Sequence, residues 1–252
     1  MSKCRLCLKE TTLLKKSHII PDFMYQELYD EKHSFILTTN HEITKPDGKK
    51  SFRPTGEYEG NLLCQNCDNK IIGDLETYAS KTLYGKGLPP EQAPVVINHK
   101  NQQGIQFSFV KNIDYKKFKL FLLSILWRAS ISTRPFFNEV SLGPHEERLR
   151  KMIFEGNPGG EMDYPFQLKT YINDKSMPTD YIGQPRTMRY EGHRIVTFFI
   201  CGIFYGFLVS SHSKPTELNS TTIKKSNELK ILHVPQGKGW EFIAKFAGIS
   251  TD

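Results

Sequence analysis

The sequence predicts an α+β protein with a small cysteine-bearing module followed by a larger α+β domain with antiparallel strands. Four of the five cysteines lie in the first 90 residues, which are otherwise polar and interrupted. The segment GKGLPPEQAP, residues 85–94, has the glycine and proline content of a linker. Beyond it, strand-like runs accompany apolar helical patterns. We therefore predict one unit at residues 1–90 and a second at residues 91–252.

In the second unit, two short strands precede a long helix. APVVINH and GIQFSFV are strand-like runs separated by a few polar residues, which predicts a hairpin. Apolar side chains recur at helical spacing in residues 114–132, the predicted central helix. HEERLRKMIF follows Pro144 and predicts another helix. From residue 164 onward strands are favoured, with GWEFIAKFAG as a short closing helix. The strand segments are PFQLKTYI, residues 195–210 and LKILHV.

Residues 195–210, IVTFFICGIFYGFLVS, are almost free of polar side chains. A membrane-spanning helix needs ~20 apolar residues, and this run lies between Arg194 and His212. Its β-branched and aromatic content instead favours two buried strands with a turn near Cys201 and Gly202. The chain begins MSKCRLCLKE, without the apolar segment of a secretory signal. We therefore expect a cytoplasmic protein with no membrane partner.

The cysteines form two Cys-x2-Cys pairs, Cys4 with Cys7 and Cys64 with Cys67. This is the spacing at which two thiolates bind one tetrahedral zinc ion, and two pairs complete a closed structural site. The interval is unusual, because compact zinc ribbons separate their pairs by ~15–20 residues. Four free thiols are the alternative, but Cys201 is the sole further cysteine, which favours zinc. In a unit with so little core, zinc is predicted to stabilise the fold.

Two further residues accompany the cysteine pairs. His18 opens the segment HIIP, and Asn61 opens NLLCQNCDNK. Cys-x2-Cys, His-Ile-x-Pro and Asn-Leu-x-Cys-x2-Cys, in this order, resemble the zinc-stapled HNH endonucleases, which are ββα-metal nucleases. The resemblance covers residues 4 to about 84. It implies that His18 activates the attacking water, that Asn61 constrains this base, and that Mg²⁺ or Mn²⁺ binds the scissile phosphate. Without these neighbours, His18 would be interpreted as a core histidine.

The residue after the last cysteine is usually a metal-binding histidine in this family, and here it is Asp68. Helical spacing places Asp68 on the side of Ile71 and Ile72, where an unpaired carboxylate is costly. Binding of the catalytic metal would explain it, and an acid favoured by the helix dipole is the alternative. Ser17 stands where many HNH enzymes carry a second ligand. The candidates to replace that ligand are His41, His33 and Asp22.

Basic residues surround the predicted base. The 34 Lys and Arg against 27 Asp and Glu give a net charge of +7, which suits a polyanionic partner without establishing one. Phosphate contacts are predicted for Lys15, Lys16, Lys49, Lys50 and Arg53. A solvated basic loop would have the same composition, so both interpretations stay open for these residues.

The predicted function is therefore a metal-dependent endonuclease that hydrolyses phosphodiester bonds, with DNA ahead of RNA as the substrate. The second unit would select a substrate or dock a partner protein. The alternative is a zinc-dependent module that binds nucleic acid or protein and has lost cleavage, which Ser17 makes credible. A membrane-associated protein built around residues 195–210 is the third hypothesis.

Overall fold

The computed structural model describes residues 2–29, 31, 35–38, 51–53, 56–85, 87–177, 179, 181–190, 192–210 and 215–247. Within these residues, the chain forms a nine-stranded sheet and two small two-stranded ribbons. The strands are β1 (Ser2–Lys3), β2 (Glu10–Thr11), β3 (Ser17–His18), β4 (Phe35–Thr38), β5 (Ser51–Arg53), β6 (Tyr58–Glu59), β7 (Val95–Lys100), β8 (Gln106–Lys111), β9 (Phe166–Thr170), β10 (Tyr181–Tyr190), β11 (His193–Ile200), β12 (Ile203–Leu208) and β13 (Leu229–His233). The helices are α1 (Gly73–Tyr84), α2 (Tyr115–Ile131), α3 (His145–Glu155), α4 (Thr216–Thr221) and α5 (Gly239–Ala247).

The large sheet has the order β5-β4-β10-β11-β12-β9-β13-β8-β7. Its neighbours are antiparallel except for the parallel pairs β4 with β10 and β9 with β13. The prediction of an α+β fold with antiparallel strands is confirmed. The predicted hairpin also forms, because β7 pairs with β8 from Val95↔Lys111 to Lys100↔Gln106.

The apolar run at residues 195–210 forms two paired strands, as its composition predicts. β11 and β12 pair from Ile195↔Leu208 to Ile200↔Ile203. The turn between them is made by Cys201 and Gly202, both with positive φ angles. Among the described helices, none is both long and apolar enough to cross a membrane.

Helix α2 is the centre of the main core. The Asp114 side chain caps its first turn by accepting a hydrogen bond from the amide of Lys117 at 2.8 Å. Fourteen of the 17 helix residues are buried, and the helix packs against α1 and α3. Its apolar side chains share one core with inward-facing residues of the sheet, such as Phe198. The helix is apolar on most of its surface, so it is stable only when other elements bury it on several sides.

A smaller core covers the other face of the sheet. Successive strand residues point to opposite faces, and Phe199 accordingly belongs to a second cluster while Phe198 belongs to the first. Helix α5 closes this second cluster with Ile243 and Phe246. The sheet therefore carries α2 on one face and α5 on the other.

The two units predicted from composition share a core and a sheet. Strands β4 and β5 belong to the first unit, yet they extend the nine-stranded sheet beside β10. Phe23 stacks on Phe121 of α2 with ring centroids 5.8 Å apart. The boundary near residue 90 stays a prediction, and these contacts mean that the N-terminal residues are supported by the larger part of the chain.

Several elements lie where the sequence predicts none. Among them, β4 and β5 fall in the segment between the two cysteine pairs, and β10 occupies a stretch that contains Gly183 and Pro185. The pairing of β10 with β11 shifts register between Gly183 and Arg186. This irregularity accommodates Pro185, which has no amide for a regular ladder. The same glycine and proline weaken the strand pattern in the sequence.

Candidate metal centre and histidine strand

The four cysteines of the two pairs come together in space. The Sγ atoms of Cys4, Cys7, Cys64 and Cys67 all lie within 4.8 Å of one another, and three of these residues are buried. The Sγ atoms of Cys7 and Cys64 are 4.0 Å apart. Thiolates bound to zinc at about 2.3 Å in a tetrahedron lie about 3.8 Å from each other. The cluster therefore has the ligand number and nearly the spacing for a zinc ion, which it could hold.

Backbone hydrogen bonds bring the two pairs together across the long intervening segment. The first pair lies in the tight turn between β1 and β2, where the amide of Arg5 donates to the carbonyl of Leu62 at 2.9 Å. The amide of Leu14 donates to the carbonyl of Leu63 at 2.8 Å, beside an antiparallel bridge between Leu13 and Cys64. These contacts hold both cysteine turns in place. The two cysteine pairs therefore stay together although the segment between Cys7 and Cys64 is much longer than in a compact zinc ribbon.

The thiols of the cluster differ in how readily they ionise. Burial opposes ionisation of Cys4, but hydrogen bonds from the backbone amides of Cys7, Cys64 and Leu6 lower the pKa of its thiol to about 7. Burial raises the pKa of Cys67, and contacts with the neighbouring thiols add to this effect. Burial also raises the pKa of Cys7. A divalent cation would favour the thiolate form of all four, because its charge compensates theirs.

His18 lies on a short strand beside this cluster. β3 pairs with β6 so that His18 is opposite Tyr58, and the two rings meet edge to face at 6.2 Å. The Nε2 atom of His18 is 3.8 Å from Oδ1 of Asp22, and the His18 side chain is 35 % exposed. The imidazole is therefore anchored on one side and open on the other, which would allow proton exchange with a bound molecule or water.

Ser17 contacts the carboxylate that the sequence singles out. Strand alternation turns Ser17 away from the His18 side, and Ser17 is 2 % exposed. Its hydroxyl donates a hydrogen bond to Oδ1 of Asp68. Asp68 is the second residue of the π-helical turn Cys67–Ile72, which leads into α1. Ser17 and Asp68, both singled out in the sequence, are thus hydrogen-bond partners of each other.

The structure brings only some of the predicted site residues together. Among the described residues, no hydrogen bond or ion pair joins His18 to Asp68 or to Asn61. Asn61 is exposed and has a positive φ of 62°, and its amide donates to the carbonyl of Leu14. Of the described His, Cys, Asp and Glu side chains, the four cysteines form the one cluster of three or more that could share a metal.

The predicted basic contacts are divided between described and undescribed parts of the chain. Lys15 and Lys16 are exposed, and the Lys16 ammonium lies 4.8 Å from the centre of the Tyr58 ring. Arg53 lies in β5. The predictions for the remaining residues lie outside the described part of the chain, and they concern His33, His41, Lys49 and Lys50.

Comparisons of this chain with protein-family models, with curated proteins and with solved structures found no match.

Arg128 supports the histidine strand, and sequence reasoning did not assign it a role. It is 2 % exposed and projects from α2. Its Nη1 atom donates to the backbone carbonyl of His18 at 2.7 Å and lies 2.7 Å from Oε1 of Glu76 in α1. The signal was present in the sequence, because a single arginine in the apolar segment FLLSILWRAS must find acceptors when the helix is buried.

Glu59 fixes the partner strand in a similar way. Its carboxylate accepts hydrogen bonds from the hydroxyl groups of Ser132 and Thr133 and from the amide of Thr133, at 2.6 to 2.9 Å. Burial opposes the charge, but these hydrogen bonds outweigh it and lower the pKa of Glu59. The carboxylate therefore stays ionised at neutral pH and ties β6 to the end of α2.

Replacing Arg128 with methionine is expected to destabilise the fold by about 3 to 5 kcal/mol, because it leaves the His18 carbonyl and Glu76 without their buried partner. Equilibrium unfolding in urea, followed by circular dichroism, measures this loss. Arg5→Met is the matched control. The pair of Arg5 with Glu146 spans 3.5 Å between half-exposed side chains, so its removal should cost about 0 to 1 kcal/mol. Equal stability losses in the two variants would contradict the assigned role of Arg128.

Proposed function

We propose that this protein is a metal-dependent endonuclease of the HNH type that hydrolyses phosphodiester bonds, with DNA ahead of RNA as its substrate. The observation that carries the proposal is the contact between Ser17 and Asp68. It joins the strand that bears His18 to the start of the helix that follows the last cysteine. Ser17 and Asp68 are 51 positions apart in sequence, and Ser17 directly precedes His18, the residue that resembles the base of the family motif.

In this proposal, His18 takes the proton of the attacking water. An imidazole side chain suits the role because its ordinary titration lies near neutral pH. Asp22, 3.8 Å from Nε2, would help to orient the ring. Lys16 and Arg134 both lie over the Tyr58 ring, at 4.8 and 5.7 Å from its centre. Their charges would attract a phosphate backbone to the open side of His18 without reading its sequence.

The structural zinc ion and the catalytic Mg²⁺ or Mn²⁺ ion of this proposal are supported by different residues. The cysteine cluster fits a structural zinc ion by donor type, number and spacing. For a catalytic Mg²⁺ or Mn²⁺, the described residues offer Asp68, one of whose oxygens already accepts a hydrogen bond from Ser17. Such an ion would stabilise the charge on the phosphate and the leaving oxygen. Phosphate oxygens and water would have to supply most of its remaining ligands.

The second candidate function is a zinc-dependent module that binds nucleic acid or a partner protein without cutting. The hydrogen bond between Ser17 and Asp68 favours it, because the carboxylate has a partner without any metal. The same basic side chains, Lys16 and Arg134, would then serve binding alone.

Incubation of the full chain with supercoiled plasmid and Mg²⁺ or Mn²⁺ tests the proposal. We expect conversion of the plasmid to nicked or linear forms, and no conversion when the added divalent ion is omitted. A structured RNA incubated in parallel distinguishes the two substrates. If both nucleic acids stay intact with either ion while a gel-shift assay detects binding, the protein is a module that binds nucleic acid without cutting it.

A further inference from the structure

A pocket of 410 Å³ lies on the face of the sheet that α5 covers. Strands β9, β11 and β12 form its floor, and residues of α5 form one wall. Its volume lies within the range of small-molecule sites in proteins. The pocket is on the face opposite α2 and the histidine strand, so it is separate from the site described above.

A lysine is held among aromatic rings in this pocket. The Nζ atom of Lys169 lies 6.0 Å from the ring centre of Phe204, 5.2 Å from that of Phe242 and 5.6 Å from that of Phe246. Residues 168 and 169 point to opposite faces of β9, so Leu168 enters the main core while Lys169 enters the pocket. An apolar side chain would satisfy such a position more simply than an ammonium group.

The positive charge of Lys169 has no oxygen partner within the described structure. No hydrogen bond or ion pair joins its ammonium group to a described residue, and the described residues that line the pocket include no carboxylate. Glu241 of α5 is instead paired with Lys238 at 2.7 Å. Aromatic faces attract the charge but accept its N–H groups poorly. The three donors of the ammonium group are therefore available to a ligand.

Further positive charge lines the same pocket. Lys245 of α5, whose ammonium group lies over the Tyr190 ring at 4.9 Å, supplies this charge. Burial, reinforced by the charge of Lys245, lowers the pKa of Lys169. A bound anion would relieve both the burial and the repulsion between the two lysines.

We propose that this pocket binds a small organic anion, with an aromatic body that packs among Phe204, Phe242 and Phe246 and an acidic group that pairs with Lys169 and Lys245. The rings provide the apolar surface, and the two ammonium groups select for negative charge. The proposal is independent of the proposed hydrolysis, because it uses none of the residues near His18.

Isothermal titration of the full chain with naphthoate and with its neutral analogue naphthamide tests this site. The two probes share an aromatic body and differ in charge. We expect naphthoate to bind saturably with one equivalent, and naphthamide to bind about tenfold more weakly or not at all. Lys169→Met should reduce the affinity for naphthoate to that for naphthamide, and Lys245→Met should weaken it by about threefold.

Lys230→Met is the matched control, because Lys230 lies over the Phe107 ring at 4.2 Å, outside the pocket. This variant should bind naphthoate as the wild type does. Circular dichroism establishes that each variant folds, and the more exposed Lys245 provides a second test if Lys169→Met does not fold. Equal affinities for the two probes, no saturable binding of naphthoate, or unchanged binding in the folded lysine variants of the pocket would overturn the proposal.

Discussion

A Cys64→Ser variant is expected to lose zinc and to lose the folded N-terminal region with it. Cys64 contributes one of four sulfurs within 4.8 Å, and its backbone forms the bridge to Leu13 that joins the two turns. Structural zinc supplies about 10 to 16 kcal/mol of apparent binding energy in zinc-finger peptides. This amount is comparable with the whole stability of a typical domain, so loss of a zinc ion bound at this site would remove a main source of folding energy.

The loss should extend beyond the turn itself. Cys4 and Cys67 belong to the same buried core as α2, and Arg150 of α3 donates to the carbonyl of Leu6 at 2.5 Å. A destabilisation of about 4 kcal/mol or more would lower the unfolding midpoint of a chain of this size by roughly 10 °C. Metal analysis of the purified variant and a thermal melt followed by circular dichroism measure the two effects.

Cys201→Ser is the matched control for this experiment. Cys201 lies in the turn between β11 and β12, and its Sγ donates to the carbonyl of Met24 at 3.1 Å. A serine hydroxyl can make the same hydrogen bond, so the control should retain both zinc and stability. Two results would contradict a structural role for zinc. One is wild-type protein that contains no zinc, and the other is a Cys64→Ser variant with the same unfolding midpoint as the wild type.

The sequence predicts the fold class and the cysteine cluster well because both depend on local patterns. Residues 114–132 repeat apolar side chains at helical spacing, and α2 begins and ends within one residue of this segment. The two Cys-x2-Cys pairs carry their ligand geometry in their own turns. Their meeting required only that the intervening chain loop out, which the backbone contacts of Leu62 and Leu63 make possible.

The parts that could not be predicted depend on contacts between distant residues. The partner of Ser17 is 51 positions away, and Arg128 reaches the carbonyl of His18 across 110 positions. Neither pairing leaves a periodic signal in the sequence. β10 is not predicted for a related reason. Pro185 interrupts its strand pattern, and the strand is stabilised by pairing with β4 and β11 rather than by its own propensity.

These contacts change the interpretation of the histidine strand. Arg128 holds the backbone of His18 through its carbonyl, while Ser17 holds Asp68 on the other side of the strand. The backbone is thus fixed by buried groups, and the imidazole is 35 % exposed. A position with a rigid backbone and an accessible side chain is well suited to a catalytic group, because its geometry is set before a substrate arrives.

A His18→Ala variant is therefore expected to lose hydrolysis while it keeps its fold and zinc. Removal of a general base costs about 10²- to 10⁴-fold in rate. The change should have little effect on stability, because Arg128 binds the carbonyl of residue 18 and that carbonyl is retained. The rate of plasmid nicking, the zinc content and the thermal midpoint, measured on the same preparation, separate the catalytic effect from a structural one.

The matched control is His99→Ala, since His99 is an exposed histidine of β7 stacked on Phe107 at 5.4 Å. It should nick plasmid at the wild-type rate. Free imidazole added to His18→Ala provides a further measurement, because the open side of the site would admit it. Partial recovery of nicking is expected if His18 supplies a base, whereas a purely structural role would give no recovery. A folded, zinc-bound His18→Ala variant with the wild-type rate would exclude His18 as the base and leave hydrolysis to other residues.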